Sequence, residues 1–221
     1  AQNHPRGLLY LAMAHSRLAR TNIKFKKSSE PEARRCLSKC LSISPQYKNC
    51  LKELANVYAF NPATSAEMTR QDQYNRSQTL YESVLSLDDG HLRAGMNYVR
   101  LLKTAISSSR QRRKNNSDLV EQVEHVTNSN PWRKKRCRDI VECLLKKNPE
   151  HVECLCFACD YYLEIRDLVR ASTLGKSAIR LAIARVCSGE GKQKIGWDGV
   201  LRMSFAALKL SLRLSYNAVE V

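Results

Sequence analysis

The residues best able to do chemistry stand together at His151-Val152-Glu153-Cys154-Leu155-Cys156-Phe157-Ala158-Cys159, which combines an imidazole, a carboxylate and several thiols. Zinc uses such donors, but it needs about four of them converging tetrahedrally. On a helix Cys154 and Cys156 point in nearly opposite directions, because two residues turn about 200°. Cys156 and Cys159 can share a face, yet no second Cys-x-x-Cys pair accompanies them. Buried structural thiols are the better reading, and Cys36 and Cys40, four apart on one face, are read the same way. No metal and no cofactor is expected. No G-x-S-x-G elbow, phosphate-cradling glycine loop or paired carboxylates stand out either, so the chain reads as non-catalytic.

Positive charge is the stronger signal. One cluster holds Arg110, Arg112, Arg113 and Lys114; a second holds Arg133, Lys134, Lys135, Arg136 and Arg138. The second falls in the first turns of a helix, where cations oppose the macrodipole, so local stability does not account for it. Phosphate-backbone contact, an import signal or docking of an acidic partner would, with a solvated charged face as the plain alternative. The whole chain shares the bias: 37 Lys and Arg against 21 Asp and Glu, a formal net charge of +16. Such a balance attracts polyanions, RNA and acidic protein tails among them.

The elements that position these groups are helices. With only 8 Gly and 6 Pro in 221 residues, a many-stranded sheet would lack its punctuation. No run approaches the roughly 18 apolar residues of a membrane span. Ala1-Gln2-Asn3-His4-Pro5-Arg6 lacks the layout of a signal peptide, and the missing initiating Met reads as a fragment of a longer protein. Nine cysteines, an odd number set in apolar patterning, suit reduced thiols of a cytoplasmic or nuclear protein.

Hydrophobic spacing predicts a helix over 7–20 with Leu8, Leu11, Ala12, His15 and Leu18 on its core face. Pro31 is expected to open a second, ending near Ser44-Pro45, and a third carries Leu51, Leu54, Ala55 and Tyr58. Helices over about 65–87 and 91–106 follow, separated by Asp88-Asp89-Gly90. Residues 107–117 read as a flexible basic insertion. From Asn130 to Arg185 come three amphipathic segments, with Asn130 and Asn148 as N-cap candidates, each before a Pro. Residues 188–196 read as a flexible loop, and 197–216 as an amphipathic helix that caps the stack.

The helices share a layout. Ala33, Leu37, Cys40 and Pro45 lead to Leu51, Leu54, Ala55 and Tyr58; Cys137, Val141, Leu144 and Pro149 lead to Leu155, Ala158, Cys159 and Tyr162. Ala171, Gly175 and Ala178 continue the small-residue spacing. Small side chains let two helices cross closely, and the aromatic fills the gap to the next pair. The middle unit, Ser77, Tyr81, Val84 and Asp89, leaves two registers for its following helix: Tyr98, Val99 and Leu102, or Ala94, Gly95 and Tyr98. Pro45, Asp89 and Pro149 lie 44 and 60 residues apart, longer than the 34 of the repeat this resembles.

The layout resembles the tetratricopeptide repeat. The resemblance implies an all-α fold: a right-handed superhelical stack of antiparallel helix pairs, forming a single domain over 1–221 with a C-terminal capping helix. It also implies a non-catalytic protein–protein interaction scaffold, holding a partner peptide or helix on a concave surface within a multi-subunit assembly. RNA binding on the basic surface is the alternative. Some tetratricopeptide domains grip a C-terminal carboxylate with Lys and Asn four apart on one inner helix, an Asn on the next and a cationic pair on the third. Lys52 and Asn56 match the first pair and Asn97, in one of the two registers of its helix, the second element, whereas Glu153 and Phe157 lack the charge of the third. Lys52, Asn56, Arg93, Asn97 and Arg100 are thus expected to line a groove for an acidic or carboxylate-bearing peptide.

Overall fold

The computed structural model describes residues 4–21, 23–60, 69–115 and 131–187. These form eight α-helices: α1 (Pro5–Thr21), α2 (Ile23–Ile43), α3 (Lys48–Phe60), α4 (Arg70–Leu87), α5 (Leu92–Asn115), α6 (Pro131–Lys147), α7 (Val152–Glu164) and α8 (Leu168–Cys187). Consecutive helices pack as antiparallel pairs, and the chain falls into two compact units, one up to Ile140 and one from Val141. The expected loop over 188–196 and the expected capping helix lie outside the described residues.

A four-residue turn is used three times. After α2 the Ser44 N–H reaches back to the Cys40 carbonyl at 2.9 Å, the Tyr47 N–H closes onto Ser44 at 3.2 Å, and the Leu51 N–H opens α3 on the Tyr47 carbonyl at 3.0 Å. Asp88, His91 and Gly95 repeat this between α4 and α5, and Asn148, His151 and Leu155 between α6 and α7, each bond at 2.9–3.2 Å. Equal turns make equal offsets. They place Gly95, Tyr98, Val99 and Leu102 of α5 where α3 has Leu51, Leu54, Ala55 and Tyr58, which selects the first of the two registers. The helices are therefore packed in consecutive pairs, a tetratricopeptide-like arrangement.

In the first unit α1 and α2 close over a core of Leu8, Leu9, Ala12, Leu37, Cys40, Leu54 and Val57. Ala33 and Ala55 are fully buried, so neighbouring backbones come close without a side chain between them. Helix α1 departs from expectation. Its core face is Leu8, Leu9, Ala12, Ser16 and Ala19, while Leu11 and Leu18 remain 49% and 40% exposed. The helix is apolar on two sides, so periodicity alone could not tell which side α2 would take.

Two further boundaries differ. Helix α2 does not start at Pro31 but carries it inside, bracketed by the buried Glu30 and its ion-pair partner Arg34. Helix α5 runs to Asn115, so residues 107–115 are helical backbone; Arg, Gln and Lys form helix well and no Gly or Pro stops them. Pro131 begins α6 as expected, but Asn148-Pro149 forms the third turn and α7 begins at Val152 behind His151.

In the second unit α7 packs on α8. Arg166, between them, holds φ at 62°. Around it the Asp167 N–H bonds the Tyr162 carbonyl at 2.9 Å and the Arg166 N–H bonds that of Leu163 at 3.1 Å, a Schellman closure whose central residue is usually Gly. Asp167 then caps α8, accepting from the Arg170 N–H at 3.2 Å. Arg166→Gly is expected to relieve the left-handed strain and stabilise the second unit by about 1 kcal/mol or less, after the entropy of Gly is subtracted. Urea unfolding of the variant against the parent chain checks this; a lowered midpoint would contradict the left-handed closure.

Candidate functional site

Asn56 sits on α3 one turn beyond Lys52, on the side that meets α5. It is 7% exposed, and a buried carboxamide needs partners for its oxygen and its nitrogen. Asn56 Oδ1 accepts from the Tyr81 hydroxyl of α4 at 2.6 Å and from Asn97 Nδ2 of α5 at 2.9 Å. Its Nδ2 donates to Glu53 Oε2 at 3.1 Å, and Glu53 Oε1 pairs with Lys52 Nζ at 2.9 Å. Arg100 Nη1 donates to Asn97 Oδ1 at 3.1 Å. One carboxamide thus ties three helices together, and its first use is holding them in register.

The electrostatics extend the site to α1. Burial and the Glu53 carboxylate push the Tyr81 phenol far above its ordinary range, so its proton stays available to Asn56; the positive charges of Arg20 and Arg100 pull the other way. Arg20 closes α1 and is exposed, as are Arg93 and Arg100 on α5. Helices α1, α3 and α5 lie side by side here. Of the expected groove residues, the structure joins Lys52, Asn56, Asn97 and Arg100, and it leaves Arg93 exposed one turn before Asn97.

Arg20 and Glu53 went unnoticed in the sequence, where Tyr81 figures only as a repeat position. Tyr81 alone carried a signal: it occupies the position taken by Leu37 and Val141 in the other units, and a tyrosine buried there must find an acceptor.

His91 borders the same place, accepting at Nδ1 from the Ala94 N–H at 3.4 Å as α5 begins. Burial lowers its pKa first, and Lys52 lowers it further. The turn before it is tied to α3 by Lys48 Nζ on Asp88 Oδ2 at 2.8 Å, a bond that holds the Asp88 carboxyl below its usual range.

A second network follows on α4. Glu82 accepts from the Tyr98 hydroxyl at 2.6 Å and takes Arg136 of α6 through both of its carboxylate oxygens, Nε at 2.9 Å to Oε1. Arg133 lies 5.1 Å from the ring centre of Tyr74. The basic cluster of α6 therefore points two ways: Arg133 and Arg136 turn inward, and Lys134, Lys135 and Arg138 are exposed. The other cluster, Arg110, Arg112, Arg113 and Lys114, lies on the last turns of α5. In each unit an Arg also covers a repeat tyrosine, Arg76 over Tyr58 at 6.0 Å and Arg170 over Tyr162 at 5.4 Å.

Six of the described thiols, Cys36, Cys40, Cys50, Cys137, Cys154 and Cys159, are buried, and Cys143 and Cys156 are half-buried. Cys159 Sγ donates to the Ala171 carbonyl at 3.0 Å and Cys50 Sγ to that of Leu37 at 3.4 Å. Burial pushes Cys159 up to about 12 and Cys137 and Cys154 to about 11, which keeps them protonated and unreactive. Among the described residues no three His, Cys, Asp or Glu side chains group as metal ligands, and no helix is long and apolar enough to cross a membrane.

Asn56→Ala is expected to cost about 1–3 kcal/mol, because the Tyr81 hydroxyl is left buried without its acceptor. Tyr81→Phe should cost about 1 kcal/mol or less, and adding Asn56→Ala to it should cost less than Asn56→Ala alone. Additive losses in a denaturation cycle would contradict the shared bond. For His91, folding favours the neutral ring, so the unfolded chain binds more protons as pH falls from 6.5 through the lower folded value, and stability drops there. His91→Asn keeps a capping oxygen and should raise the melting temperature, relative to the parent, more at pH 5 than at pH 8. Equal shifts at both would exclude the titration.

No family model matches the chain, and no curated protein does. Two solved structures are similar to it in helix arrangement: MamA 41-end from Desulfovibrio magneticus RS-1, and an RS-1 MamA double mutant. Each covers 90% of this chain and 94% of its own at 13% identity and a TM-score of 0.44, and nothing about function is transferred from that likeness.

Proposed function

We propose that this protein is a non-catalytic scaffold that holds an acidic segment of a partner protein along α1, α3 and α5. The observation that carries the reading is the gathering of Arg20, Lys52 and Arg100, from three side-by-side helices, around one buried polar network. Glu53 is the acid within that network, and it is already engaged by Lys52 and Asn56. A carboxylate arriving there meets exposed guanidinium groups at Arg20, Arg93 and Arg100, which can bind it by charge-assisted hydrogen bonds. The network behind them is fully engaged, so the face is pre-organised and little ordering is needed on binding. Lys52 contributes less than the guanidinium groups because its charge is spent on Glu53. The net charge of +16 suits membership of an assembly whose other subunits are acidic.

RNA binding is the second reading. It rests on the exposed face of α6, where Lys134, Lys135 and Arg138 lie beside Trp132, 43% exposed and able to stack on a base.

Affinity capture with the full chain at moderate salt, with and without nuclease, separates the two. A protein partner is expected to survive nuclease and to bind Arg93→Glu/Arg100→Glu on the order of tenfold or more weakly, with the helix content unchanged. Equal retention by that variant removes the groove reading. Recovery of nuclease-sensitive RNA alone, lost on Lys134→Glu/Lys135→Glu, puts the second reading in its place.

A further inference from the structure

Helix α1 has a second apolar face that nothing described covers. Gly7, Leu11, Ala14 and Leu18 follow one another at spacings of four, three and four, the seam of a helix that packs lengthwise on another helix. All four are exposed, and a Cβ placed on Gly7 would meet nothing within 4 Å. At about 100° per residue they form a stripe spanning roughly 60°, running about 17 Å along the axis. The opposite face already carries Leu8, Leu9, Ala12 and Ala19 into the core. A helix apolar on both sides is normally buried on both.

The stripe alternates small and large. Gly7 and Ala14 lie seven apart, as do Leu11 and Leu18, so a second helix can approach closely at the small positions while its own side chains meet the leucines. Along one border run Arg6, Tyr10 and Arg17, with Tyr10 67% exposed. Helix α1 contains no acidic residue. A second copy of this helix would bring the same unbalanced cations to the border, which disfavours self-pairing. A lipid surface would be better served by bulky side chains throughout than by Gly and Ala at alternate positions.

We infer that the outward face of α1 docks an amphipathic helix of a partner protein, one with an apolar seam of about three turns and Glu or Asp on the border that meets Arg6 and Arg17. This site is separate from the Asn56 network and uses none of its side chains, so each can fail without the other.

Three labelled synthetic helical peptides test it by fluorescence anisotropy against the full chain: a Leu/Ala seam bordered by Glu, the same seam bordered by Lys, and the Glu-bordered peptide with its seam leucines changed to Ser. The Glu-bordered seam should bind about tenfold more tightly than the Lys-bordered one, a preference that shrinks with added salt, and the Ser peptide should not bind. Leu11→Glu should abolish binding. Arg6→Glu/Arg17→Glu should reverse the preference between the two borders, a result that misfolding could not mimic. Equal binding of both borders, an unchanged affinity in Leu11→Glu, self-association of the chain lost in that variant, or binding to anionic vesicles in place of the peptides would each overturn the assignment.

Discussion

The constraint on which the structure depends is the four-residue turn that closes one helix and opens the next. Its three backbone bonds recur with nearly the same lengths after α2, α4 and α6, although the residues differ: Ser-Pro-Gln-Tyr, Asp-Asp-Gly-His and Asn-Pro-Glu-His. Because the turn fixes where the next helix starts, it fixes which residue of that helix faces its partner. A one-residue slip would rotate the helix by about 100° and expose Tyr98 and Leu102, both now fully buried. The turn keeps its geometry although the spacing between repeats varies from 44 to 60 residues.

Within that frame the buried polar groups choose specific neighbours. Asn56 and Glu82 each collect donors from two helices, the first from α4 and α5, the second from α5 and α6. A hydrophobic contact tolerates sliding; a shared acceptor does not, because losing either donor leaves a polar atom stranded. The two networks therefore keep α3 to α6 in one arrangement more than they add to net stability. They also consume part of the charge that the sequence offers. Arg136 and Lys52 are paired with Glu82 and Glu53, and the exposed Arg100 of α5 is itself bonded to Asn97 at the border of the same network.

The cysteines follow the same logic. They serve where a small, slightly polar side chain must sit at a helix crossing, as Cys40, Cys50 and Cys159 do, each donating to a backbone carbonyl. The raised pKa values of Cys50 and Cys159 are a consequence of that burial.

Read alone, the sequence determined that the chain is helical, that its helices come in pairs and that Ala33, Cys40, Ala55, Cys159 and Ala171 lie at the crossings. Those facts are written in local spacing, since a 3.6-residue period and a small side chain at a fixed offset need no distant partner. It also matched Lys52, Asn56 and Asn97 to a known pattern and set Arg93 and Arg100 beside them, but it gave Glu53, Tyr81 and Arg20 no part in that site. What only the tertiary structure decided was which of two apolar sides of α1 is buried, which register α5 takes, and which arginines of α6 turn inward. Each is a choice between near-equal local alternatives, settled by packing partners and acceptors that other helices supply, such as Glu82, 16 residues from Tyr98 and 54 from Arg136.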